Sequence, residues 1–66
     1  MRDLREIETA LLKGDSITTP ELKLANEHFA NLRKALIVLG PHWHFAFKEA
    51  NRMEMMTGNY LRARER

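Results

Sequence analysis

An all-α fold with one short helix and one long helical hairpin is predicted by three observations on this 66-residue chain. Leu22, Ala25, Phe29, Leu32, Leu36 and Leu39 recur at alternating spacings of three and four, which lines them along one side of a helix. Trp43, Ala46, Ala50, Met53, Thr57 and Tyr60 repeat that spacing. Only Gly40-Pro41 separates the two runs, so the helices that carry them must be antiparallel neighbours.

The first element is expected over about residues 4–13. Asp3 is a good N-cap and Glu6 follows it by three, while Leu4, Ile7, Ala10 and Leu11 form one stripe. Gly14 suits the left-handed residue after a helix end. A helix of this length is marginal alone and must dock. The second helix is expected over about 19–39. Thr18-Thr19-Pro20-Glu21 reads as a capping box, with Ile17 and Leu22 as its hydrophobic staple and proline in the tolerant first turn. Gly40 ends it and Pro41 opens the third helix, expected over 41–57 or longer. Gly58-Asn59 is a legitimate stop, but Tyr60 keeps the phase, so the helix is read as continuing into a frayed basic end over 58–66. The whole chain, 1–66, is one domain.

Composition removes several function classes. No cysteine is present, which excludes disulfides and thiolate metal sites and fits a reducing, cytoplasmic setting. The longest apolar run, Ala35 to Leu39, is far short of the ~20 residues that cross a bilayer, and no membrane partner is expected. The net charge of +2 arises in residues 48–66, where Lys48, Arg52, Arg62, Arg64 and Arg66 face Glu49, Glu54 and Glu65.

No residues are assigned to catalysis, a cofactor or a metal. His42 and His44 are two apart, which sends their rings to opposite sides of a helix, whereas a shared ion needs spacings of three or four. They are read as surface residues flanking a buried Trp43. His28 is read as a boundary residue, since no hydroxyl and carboxylate are arranged around it. Glu21, Glu27, Glu49 and Glu54 are read as solvated charges. No glycine-rich phosphate loop occurs, and helix three begins too apolar to be a recognition helix.

Two features remain. Leu24, Ile37, Val38, Phe45, Phe47, Met55 and Met56 lie outside the seam, more apolar surface than one hairpin buries. Pairing of two chains into a four-helix bundle is the expected outlet, and Ile37, Phe45, Met55 and Met56 are the candidate partner-binding residues. The alternative site is the arginine end, Arg62, Arg64 and Arg66, for a nucleic acid.

The stretch Ile17-Thr18-Thr19-Pro20-Glu21-Leu22, the long seam, Leu39-Gly40 and the arginine-rich end together resemble small all-helical accessory proteins from the early regions of temperate phages and related mobile elements. The likeness spans about two thirds of the chain and transfers no functional residue. It implies a regulator or adaptor that acts by binding host or phage machinery. The expected function is therefore non-enzymatic protein binding through an apolar helical face, with a homodimer and a further protein as partners.

Overall fold

The computed structural model describes residues 2–65. Its elements are α1 (Leu4–Lys13), α2 (Thr19–Leu39), a 3-10 turn (Pro41–Trp43) and α3 (His44–Arg64). The all-helical reading and the helix boundaries hold closely.

Local chemistry sets each end. The Glu6 amide donates to Asp3 Oδ1 at 2.9 Å, and Gly14 closes α1 at φ +77°. At the start of α2, the Thr18 hydroxyl accepts from the Glu21 amide, and the Glu21 carboxylate accepts from the Thr18 amide. The box is complete, and both staple residues, Ile17 and Leu22, are buried. Gly40 adopts φ +94° and ψ −169°, a conformation open in practice only to glycine. That single residue turns the chain back. Pro41 then leads into a 3-10 turn, so α3 proper starts at His44, slightly later than expected. Gly58 lies inside α3 without a positive φ, and the helix runs through it to Arg64.

The register of the hairpin is visible in three cross-links. Thr19 meets Arg64, Asn26 meets Thr57, and Arg33 meets Glu54. Each of α2 and α3 has 21 residues and is therefore on the order of 31 Å long. The molecule extends 35 × 24 × 17 Å.

The core lies at the open end of this hairpin, away from the turn. Ile7, Ala10 and Leu11 of α1 join Ile17, Leu22, Ala25, Phe29 and Met53 in one buried cluster. Met56 and Leu61 pack against it. Both flanks of α1 are held at that same end. Arg2 binds Glu21 and the Ser16 carbonyl, while Leu11 and Gly14 share a cleft with Tyr60 and Arg64. A ten-residue helix fixed there covers the open half and no more.

The seam consequently divides in two, against the expectation that it would be buried throughout. Leu22, Ala25, Phe29 and Leu36 are buried, but Leu32 is 39% exposed and Leu39 59%. In α3 Ala50, Met53 and Thr57 are buried, whereas Trp43 and Tyr60 are about half exposed. Trp43 was expected beneath the fold. It stays half open at the turn with no α1 above it, although Leu36, also on the turn side of Leu32, is buried.

Glu21 and Glu54 also depart from expectation. Glu21 is 4% exposed, and its carboxylate accepts from Arg2 Nε at 2.9 Å. Arg33 Nε donates to Glu54 at 2.7 Å. Both acids tie elements together instead of standing in solvent.

Candidate functional site

The proposed contact residues do not form one patch. Ile37 and Phe45 lie beside the turn and are exposed, Phe45 at 84%. Met55 and Met56 lie ten and eleven residues further along α3, about 15 Å away. They also differ from each other. Met55 is exposed, with its sulfur accepting weakly from Asn51 Nδ2 at 3.9 Å, whereas Met56 packs against the core. Met56 is thus a structural residue, and Met55 is remote from Ile37 and Phe45.

Of the alternative arginine site, Arg62 donates to Asn59 Oδ1 at 2.7 Å and Arg64 to Thr19 Oγ1 at 3.2 Å. Arg66 lies outside the described residues. His28, His42 and His44 are exposed, and their nearest ring neighbours are aromatic, Phe29 for His28 and Phe45 for His44. Among the described residues no group of three His, Asp or Glu side chains is placed to hold a metal ion.

The surface that does gather chemistry is the step along the side of α1. Glu8 and Leu12 form its riser, Phe29, Leu32, Ala46, Ala50 and Met53 its floor, and His28 and Glu49 its rim. The cleft has a volume of about 260 Å³. Leu12 is 65% exposed at its edge. Beyond the floor, past the buried Leu36, Leu39 and Trp43 are exposed as well. Glu49 is the only charge on the α3 rim, and Arg52 binds it at 3.3 Å. Sequence periodicity marked Leu32 and Ala46 as core. Nothing in it showed that α1 would stop short of them, because that depends on where α1 is anchored.

A second cleft, about 280 Å³, lies at the open end between Leu11, Asp15, Ser16, Tyr60 and Arg64. Some of its polar groups are engaged by the fold. The Asp15 amide donates to the Ala10 carbonyl, the Ser16 carbonyl accepts from Arg2, and Arg64 reaches Thr19. Glu21 lies nearby, its carboxylate bound by Arg2 and Thr18. The Arg2 guanidinium above all, then the Thr18 amide and hydroxyl, hold its carboxyl down to about 2 against the opposing effect of burial. A carboxyl that binds its proton so weakly is a clamp and no proton donor near neutrality.

No protein-family model, curated protein or solved structure matches this chain. Function therefore rests on the surface itself.

Proposed function

We propose that the chain is a small non-enzymatic regulator or adaptor that acts by protein binding, with the turn half of the hairpin as its docking surface. One observation carries the reading: cover by α1 ends at Leu32, and past the buried Leu36 the hairpin again exposes large apolar side chains, Leu39 and Trp43 among them. So much exposed apolar surface on so small a domain marks an interaction site. The occupant is an amphipathic helical face that lies in the cleft and covers Leu12, Leu32 and Ala46. With no other protein present, a second copy supplies that face, turn half against turn half, and the two hairpins close a four-helix bundle.

Light scattering coupled to size exclusion over a dilution series tests this. The expected result is a mass about twice 7.8 kDa at high concentration that falls to 7.8 kDa on dilution. Leu12→Glu and Leu32→Glu place a charge in the cleft and are expected to leave a folded monomer. A chain that is monomeric throughout, and that binds no helical partner in a Leu12-dependent way, overturns the proposal. Nucleic-acid binding through Arg62 and Arg64 has less support, since both side chains already bond to Asn59 and Thr19.

A further inference from the structure

The turn end of the hairpin carries exposed apolar side chains on several sides, with the exposed imidazoles of His42 and His44 among them, a different property from the stripe that leads to it. Ile37, Val38 and Leu39 are consecutive in α2, so they project about 100° apart around the helix, and all three are exposed. Across the turn Trp43 and Phe45 are exposed as well. Val38 at 86% and Phe45 at 84% are the most exposed large apolar side chains among the described residues. A helix or a groove covers one side of such an end and leaves the others in water. Only surroundings that enclose the end remove all five side chains from water together.

Charge narrows the choice. Residues 28–48 contain no Asp or Glu. Arg33 within that stretch is paired with Glu54. Lys34 and Lys48 form no ion pair among the described residues. Lys34 precedes Ile37 by three residues and Lys48 follows Phe45 by three, so the antiparallel helices carry both lysines at one height. That height is on the order of 5 Å below the base of the apolar end, and the rise from Lys34 to Leu39 is about 8 Å. Surface-bound apolar segments enter the headgroup boundary to a depth of about 5–10 Å, with tryptophan at the interface and lysines against anionic lipid.

We infer that the turn end is a peripheral anchor for an anionic lipid surface, with Ile37, Val38, Leu39, Trp43 and Phe45 in the interfacial layer and Lys34 and Lys48 at the headgroup phosphates. This goes beyond the protein-binding reading: it shares Leu39 and Trp43 with that surface and adds Ile37, Val38, Phe45, Lys34 and Lys48. It also departs from the expectation of no membrane partner, which considered spanning segments alone. No described helix is long and apolar enough to cross a bilayer, and the anchor requires none.

Trp43 is the chain's one tryptophan and sits in the anchor, so its emission reports the event directly. The chain, diluted to the concentration at which light scattering gives the 7.8 kDa monomer, is mixed with vesicles of phosphatidylcholine, with or without about a third phosphatidylserine. The expected result is a blue shift and co-sedimentation with the anionic vesicles alone, lost at high salt. Lys34→Gln/Lys48→Gln is expected to weaken partitioning roughly thirtyfold. Val38→Ser/Phe45→Ser, both at exposed sites, is expected to weaken it at least about tenfold with the helical circular dichroism intact. Absence of a shift with anionic vesicles overturns the inference, as does equal binding to neutral ones. A shift of equal size with polyglutamate also overturns it, because the end then belongs to an acidic protein. A constant monomer that still binds vesicles leaves this inference standing and removes only the self-pairing reading.

Discussion

Phe29 and Leu32 are adjacent members of one heptad-like seam, and periodicity alone gives them equal weight. Each would then cost ~2–5 kcal/mol on replacement by alanine. The structure separates them, since Phe29 is 6% exposed within the cluster beneath α1 and Leu32 is 39% exposed where that cover ends. Phe29→Ala removes a ring from a closed site and leaves a cavity, at a cost of ~3–5 kcal/mol. Leu32 has about three fifths of its surface buried. Full burial of leucine contributes ~1.5–3 kcal/mol, so Leu32→Ala costs ~1–2 kcal/mol, with little cavity penalty at a site open to water. A 66-residue domain is stable by only ~3–10 kcal/mol. At ~4–8 °C per kcal/mol, the expected losses in Tm are ~12–40 °C for Phe29→Ala and ~4–16 °C for Leu32→Ala. Thermal circular dichroism at a concentration where the chain is monomeric measures both. Equal losses in the two variants refute the division of the seam and, with it, the exposed turn half. A Leu32→Ala loss that grows with concentration measures how much a second copy covers that residue.

Other consequences are as direct. Because the folded Glu21 carboxyl binds its proton more weakly than the unfolded one, its contribution to stability is full above its ordinary value of 4.5 and is lost as pH falls through about 2. Glu21→Gln is expected to lower stability at neutral pH, and the gap between parent and variant should close over that acid window in urea titrations. Gly58→Ala is expected to stabilise the chain by ~0.5–1 kcal/mol, since a Cβ there meets Asn26 Nδ2 at an ordinary 3.5 Å; a loss of Tm contradicts this. Asn26 Nδ2 donates to the Glu54 carbonyl at 2.9 Å and to Thr57 Oγ1 at 3.0 Å. Asn26→Ala is expected to cost ~1–2 kcal/mol by chemical denaturation, and an unchanged midpoint denies that amide its role in holding the hairpin.

The parts of this fold that depend on neighbouring residues were legible in the sequence. The Asp3 and Thr18 caps, the stop at Gly14, the turn at Gly40 and the phase of both long helices rest on chemistry within a few positions of each residue. The parts that depend on where separate elements meet were not. Glu21 carries the same local signature whether or not Arg2, nineteen residues earlier, reaches it, so its burial was invisible. Asn26 gave no signal because its partners, Glu54 and Thr57, lie on another helix. Met55 and Met56 are neighbours of identical type, and only the packing of α3 on the core distinguishes them. The surplus of apolar surface was legible as an amount, but its position followed from the anchoring of α1.

The joint at Gly40 has a kinetic consequence. Two long helices linked by a few residues bring their facing side chains together across a short loop, so little chain entropy is lost when they first meet. Topologies of this kind fold in microseconds to milliseconds. The contacts of α1 with Phe29 and Met53 close longer loops and come later in such an ordering. Loosening α1 should therefore speed unfolding more than it slows folding, whereas loosening the hairpin should slow folding. Chevron plots of Ile7→Val and Ala50→Gly would separate the two limbs. In that order of events the clamp between Arg2 and Glu21 closes with α1, after the hairpin, and opens with it.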